Sequence, residues 1–242
     1  MKVMKIEPNE KLVEFSQSQK QFRQDQPVSN DLRSMMGDVH RDFTKYMMEQ
    51  HFDDVQSLLK EYIDDHHPIE EKRQALQNNL FWWKILNDGG QELKWNCTDG
   101  FIGENYHRFI DKPLITSWLR EWDKAVTKFY YVGYKHSDRI FVVFDILEDK
   151  MLDVIVKDPG VVSPGQGEIV AGTLIPYGGG IYAPITDFYR FNYEAREAIG
   201  GTFRHHYDTY LKANSLPAAF IHVLSVMLQI ERRIALKLQR IK

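Results

Sequence analysis

Phe129-Tyr130-Tyr131-Val132-Gly133-Tyr134, then Lys135-His136-Ser137-Asp138, then Arg139-Ile140-Phe141-Val142-Val143-Phe144-Asp145-Ile146-Leu147 is the stretch whose reading fixes the architecture of this chain. Two runs dense in aromatic and β-branched residues flank a polar link, the pattern of a β-hairpin. Three more such runs follow, at Met151–Lys157, Glu168–Ile175 and Ile181–Ile185. Asp158-Pro159-Gly160, Pro164-Gly165-Gln166-Gly167 and Pro176-Tyr177-Gly178-Gly179-Gly180 separate them, all residues with turn chemistry. Five short strands within about sixty residues predict a small antiparallel β-barrel-like module over 128–186, in the size class of SH3-like and OB-like barrels.

Upstream the apolar period is that of a helix. After Pro27, Ser29 or Asn30 is placed to cap a helix whose stripe reads Leu32, Met36, Val39, Phe43 and Met47, at three- and four-residue steps. Phe52, Val55, Leu59 and Tyr62 continue it, as an extension or as a second helix, until Pro68 disfavours helix in the residue before it. Pro68 is suited to open another helix, with Ile69, Leu76, Leu80, Trp83 and Leu86 on its buried face. A loop with Trp95, Cys97, Phe101 and Ile102 follows, and Pro113 starts a helix carrying Leu114, Trp118, Trp122 and Val126 on one stripe. Before Pro27 the chain is polar, and Leu12, Val13, Phe15 and Phe22 suffice for a peripheral helix.

Downstream, Asp187 to Asn214 returns to a helical pattern that Gly200-Gly201 can kink, and Ser215 with Pro217 begins a last helix, apolar at first and then amphipathic. The expectation is an α+β protein. A helical N-terminal region (1–127) precedes the β-barrel-like module (128–186), and two C-terminal helices (187–242) pack back on the rest.

The β segment, through Phe144-Asp145-Ile146-Leu147, Gly167-Glu168-Ile169-Val170-Ala171-Gly172-Thr173-Leu174-Ile175-Pro176 and Gly180-Ile181-Tyr182, resembles a β-rich module of uncharacterised bacterial proteins, some of which carry a C-terminal SEC-C zinc motif. The resemblance implies a bacterial cytosolic protein and transfers no site residue. This chain lacks the Cys cluster of the zinc-bearing members.

The 242 residues are 43% apolar and 27% charged, which excludes a disordered or fibrous chain. A net charge of −3 marks neither a nucleic-acid nor an anionic-membrane binder. A single cysteine, Cys97, rules out an intrachain disulfide or multi-thiolate zinc site and suits a reducing cytosol. The start, Met1 to Glu14, interleaves charges with apolar residues and does not predict export. The most apolar stretch, Leu216 to Ile230, contains His222, Ser225 and Gln229 and is shorter than the ~20 apolar residues of a membrane span.

Candidate sites compete with structural readings. His40-Arg41-Asp42 spells the start of a kinase catalytic loop without the Asn or the glycine-rich strand that the loop requires. Asp64-Asp65-His66-His67 gathers four ligand types on consecutive positions, which point in different directions along a helix. His205, His206 and Asp208 form the better metal or acid–base candidate, because His205 and Asp208 lie three apart on one helix face. Pro176–Gly180 lacks the lysine and hydroxyl of a phosphate loop.

Tyr177 and Tyr182 on the β module, and Arg232, Arg233, Lys237, Arg240 and Lys242 in the tail, are the residues offered to a partner; Glu231 is the lone acid beside the tail. With no complete catalytic set and no cofactor implied, the leading expectation is a non-enzymatic cytosolic accessory or regulatory protein. It would bind a macromolecule, a protein first, through the β module or the basic C-terminal helix. A metal-dependent hydrolase using His205, His206 and Asp208 is the alternative, RNA binding is the third reading, and self-association is left open.

Overall fold

The computed structural model describes residues 21–87, 97–158 and 160–240. It opens on one unbroken helix, α1 (Asn30–His66), so the second apolar stretch extends the first. The Ser29 side chain accepts the Leu32 amide at its start. His67 ends it in the left-handed conformation (φ 45°), donating its amide to the Ile63 carbonyl just before Pro68. Met36, Val39, Phe43, Met47, Val55, Leu59 and Ile63 are its buried stripe.

Pro68 is followed by a 3-10 turn (Glu70–Lys72), and α2 (Arg73–Asn87) starts at Arg73, later than the sequence suggests. Where a loop was expected, Cys97–Glu104 forms α3, which buries Phe101 beside Phe43, the ring centroids 5.1 Å apart. Trp95 lies outside the described residues, as do Leu12, Val13 and Phe15 of the expected peripheral helix. After α4 (Tyr106–Phe109), α5 (Pro113–Leu119) has its proline in the first turn. Trp118 and the following Trp122 are fully buried, their rings 5.8 Å apart and edge-on.

The strands are β1 (Thr127–Lys135), β2 (Ile140–Asp145), β3 (Lys150–Ile155), β4 (Ile169–Pro176) and β5 (Ile181–Pro184). They close into a ring in the order β1-β2-β3-β5-β4, with β4 returning to β1 from Thr127↔Thr173 to Tyr131↔Ile169. Strand directions cannot alternate all the way round an odd-membered ring, so one neighbouring pair must be parallel. That pair is β3–β5, joined through Asp153↔Ile181 and Val154↔Tyr182. Strand β2 ends earlier than its apolar run because the Asp145 carboxylate accepts the amides of Leu147 (2.9 Å) and Glu148 (3.0 Å), turning the chain.

Tyr130, Val132, Phe141, Val143, Val154, Val156, Val170, Leu174 and Phe188 form the interior cluster of the module. A second, larger core lies outside one wall, where Phe129, Ile169, Ala171 and Ile175 meet the helices. Strand β4 is therefore covered on both faces, with seven of its eight residues buried.

Asp187 does not begin a helix. Tyr189–Arg190 adds a short strand, β6, to β4, a 3-10 turn follows (Tyr193–Ala195), and α6 runs from Arg196 to Leu211 straight through Gly200-Gly201. The last helix, α7 (Leu216–Gln239), is capped by the Ser215 side chain. Glu231, which the sequence set against the basic tail, points into the protein: it accepts Lys72 Nζ (2.7 Å), the Tyr189 hydroxyl (2.5 Å) and the Asn192 amide (2.6 Å). This buried carboxylate ties α7 to β6 and to the turn before α2. No helix among the described residues is long and apolar enough to cross a membrane.

Candidate functional site

The glycine loop between β4 and β5 is already occupied by the chain's own N-terminal segment. Gly178, Gly179 and Gly180 all have φ between 64° and 80°, a region open to glycine. Their amides donate to Gln24 Oε1 (2.9 Å), the Gln26 carbonyl (2.7 Å) and the Gln24 carbonyl (2.8 Å). Gln24 Nε2 returns a bond to the Ile181 carbonyl (2.8 Å). The loop is a hairpin clasp, with its amides committed. Tyr177, offered to a partner by the sequence, is 1% exposed: its hydroxyl donates to the Arg33 carbonyl (2.7 Å) and its ring meets Trp118 edge-on. Tyr182 is half-buried at a mouth of the barrel, near Tyr130 and Leu174.

The histidines do not converge. His205 and Asp208 are exposed on α6, and His206 is half-buried, its ring 5.6 Å from that of His205. Among the described residues no three His, Cys, Asp or Glu side chains form a metal-holding group. His66 stacks on Tyr62 and hydrogen-bonds Ser225 Oγ (2.5 Å) on α7, so half of the Asp64–His67 cluster's imidazoles join helices together. His40 donates Nε2–H to the Ile185 carbonyl (3.1 Å) and packs edge-on against Trp122. Burial, then the charges of Lys157 and Arg41, lower its pKa to about 4 against the opposing pull of that hydrogen bond. It is a neutral histidine at the edge of the core.

Arg232, Arg233, Lys237 and Arg240 are exposed on the last turns of α7, beside exposed Leu236 and Leu238. With Glu231 turned inward they face no acid on their own helix turn. Lys242 lies outside the described residues.

Two surfaces combine exposure with built geometry. The first is the outer face of β1, β2 and β3. Tyr131 pairs across strands with Phe144, and Phe144 with Met151, so three large side chains form one row perpendicular to the strands. Tyr131 is 42%, Phe144 36% and Met151 65% exposed. The Phe144 ring lies across Gly133, where a Cβ would stand 2.3 Å from Cε2, so glycine is required for the ring to lie flat. Tyr193 extends the row: it and Tyr131 both close on Gly167. Tyr134 and Ile140 flank it, also exposed. Sequence reasoning assigned about half the module's aromatics to the interior without deciding which; the hairpin register does so, sending Tyr130, Val132, Phe141 and Val143 inward and Tyr131 and Phe144 outward.

The second is a cleft of about 650 Å³ between α1 and the barrel. Helix α1 contributes Ser34, Asp38, Arg41 and Thr44; the barrel contributes Lys157, Asp158 and Asp187 around an apolar floor of Val156, Ala183 and Ile185. Lys157 Nζ hydrogen-bonds the Tyr177 hydroxyl and sits 4.0 Å from the centre of its ring. Burial, and then Arg33, lower the Lys157 pKa to about 8, with Asp38 opposing and Arg41 adding to the effect. Burial, and then Asp158, raise the Asp187 carboxyl. These residues carry no motif, because they come from three separate elements.

Comparison of the chain with protein families, with curated proteins and with solved structures returns no match in any of the three, and the two surfaces are the grounds on which a function is assigned.

Proposed function

We propose that this is a cytosolic, non-enzymatic accessory protein that binds a partner protein through the outer face of its β-barrel. The row Tyr131–Phe144–Met151, extended by Tyr193, carries the reading. Aromatic residues and Met are the side chains enriched where protein surfaces meet, and a contiguous exposed apolar patch is uncommon on a surface with no partner. Ring closure pairs the strands on both sides for part of their length, so recognition falls to side chains more than to strand addition.

The charges around the row favour a protein over RNA. Lys135 faces Asp138 (3.8 Å), Arg196 faces Glu197 (3.4 Å) and stacks on Tyr193, and Arg204 faces Asp149 (2.9 Å). Three of the cations around the row are thus matched and Arg139 and Lys150 are not among the described residues, too few free charges for the phosphate contacts from which an RNA surface draws its affinity. The expected occupant is the apolar face of another protein.

A photo-reactive residue at Met151, with a control at exposed Lys45 on α1, tests the proposal in cells that make the protein. The expected result is one discrete adduct from position 151 and none from 45. The captured protein, once purified, should bind the wild-type chain saturably and Phe144→Glu at least about tenfold more weakly. No adduct above the control, an adduct with a second copy of this chain alone, or binding indifferent to Phe144→Glu would overturn it.

A further inference from the structure

The cleft between α1 and the barrel is lined by charges of both signs. Lys157 lines it with no carboxylate within salt-bridge distance among the described residues; its neighbours by charge are Arg33, Arg41 and Asp38. Arg41 itself is paired with Asp38 at 2.8 Å, which leaves Lys157 as the unmatched cation among the residues that line the cleft; Arg33, also without an ion pair among the described residues and with a buried, unbonded Nε, lies outside that lining. Asp158 and Asp187 line the same cleft, and Asp158 stands close enough to disfavour the charge of Asp187. The Asp158 carboxylate accepts the Gly160 amide (2.8 Å), and the Asp187 carboxylate accepts no hydrogen bond and makes no ion pair among the described residues. Val156, Ala183 and Ile185 give the same cleft an apolar floor.

A ligand with one charge meets a partner of one sign and leaves the other sign unmatched. An anion suits Lys157 but enters beside two carboxylates, and a cation suits the carboxylates but leaves the ammonium of Lys157 unpaired. A molecule carrying both charges on a short apolar frame satisfies both signs, and the cleft volume lies within the range of small-molecule sites. We infer that this cleft binds a small zwitterion of the amino-acid class, its carboxylate held by Lys157, its ammonium by Asp158 and Asp187, and its aliphatic part on Val156 and Ile185. Ser34 and Thr44 on α1 supply hydroxyls that orient it. The inference is independent of the barrel's outer face, which lies on other strand positions.

The probes are the common α-amino acids, γ-aminobutyrate and 6-aminohexanoate as longer-spaced zwitterions, and singly charged controls (simple alkylamines and alkyl carboxylates). Thermal melting of the full chain screens them and calorimetry follows. At least one zwitterion is expected to bind saturably and raise the melting temperature by roughly 2–4 °C at concentrations well above its Kd. Lys157→Gln and Asp187→Asn should each weaken it at least about tenfold, and the amine-only and acid-only controls should bind at least about tenfold worse. Far-ultraviolet circular dichroism confirms that each variant folds, and either variant alone suffices if the other does not. No binding by any zwitterion, equal binding by a singly charged control, or affinity unchanged in both variants would overturn the assignment.

Discussion

The Tyr189 hydroxyl donates to Glu231 across 2.5 Å in a fully buried contact between the short strand β6 and the helix α7. Lys72 and the Asn192 amide complete the shell of that carboxylate. Burial, and then the adjacent carboxylate, raise the Tyr189 pKa far above its ordinary value, so the phenol stays the donor.

Removing the carboxylate leaves Lys72, 21% exposed, with Asn192 Oδ1 (2.6 Å) as its remaining acceptor and no counter-charge, beside an unpaired tyrosine hydroxyl and a backbone amide. Glu231→Ala is therefore expected to lower stability by about 3 kcal/mol, and Glu231→Gln by less because the amide oxygen still accepts. Urea denaturation of the three proteins checks the order. Equal stabilities would show that the network contributes nothing.

Acid should weaken the fold through His40. Its folded pKa, about 4, lies below the ordinary 6.5, so between those values the unfolded chain binds more protons than the native one. Stability is fully present above about pH 6.5 and is lost as pH falls toward 4, by about 2 kcal/mol between pH 7 and pH 5. In His40→Gln the amide still donates to the Ile185 carbonyl, and the loss over that interval should shrink by a similar amount. Urea midpoints at the two pH values measure it.

Lys157 should be the fast-reacting amine. Its pKa of about 8 leaves far more free base at neutral pH than an ordinary lysine has, and its side chain lines an open cleft. Brief acetylation at pH 8 followed by peptide mapping should label Lys157 ahead of exposed Lys45, and a zwitterion bound in the cleft should protect it. Slower labelling of Lys157 than of Lys45 would contradict the pKa.

Gly133→Ala should dislodge Phe144. The new methyl group would overlap Cε2 at 2.3 Å, so the ring must rotate off β1. Because Phe144 is exposed, the cost to stability should stay within about 1 kcal/mol, while partner affinity should fall like that of Phe144→Glu. Unchanged affinity would show that the flat seating of the ring is irrelevant.

Much of the fold was legible in the sequence because periodicity reports burial. The α+β order, the caps at Ser29 and Ser215, the five strands and the buried indoles all follow from spacing and turn chemistry. What escaped depended on pairing across the chain. The strand at Tyr189–Arg190 exists because β4 has a free edge there, which no local pattern announces. Glu231 reads as a tail acid until α7 is seen to set it against Lys72, 159 residues away in sequence. Tyr177 reads as a surface aromatic until α1 covers it. The cleft was invisible for the same reason: Asp38, Lys157 and Asp187 are scattered residues that the closed barrel and α1 bring to one cavity.

The parallel contact forced by closure of a five-strand ring is also its shortest joint, two residue pairs against three along β4–β5 and five or six along β1–β2, β2–β3 and β1–β4. Breathing of the ring should begin there, with the amides of Asp153–Ile155 and Ile181–Ala183 exchanging before those of β1. Just beyond that joint, Val156 and Lys157 on one side and Ala183 and Pro184 on the other form the wall of the cleft. A molecule seated against both sides would act as a rivet, and occupancy of the cavity would be felt as stiffness around the whole ring.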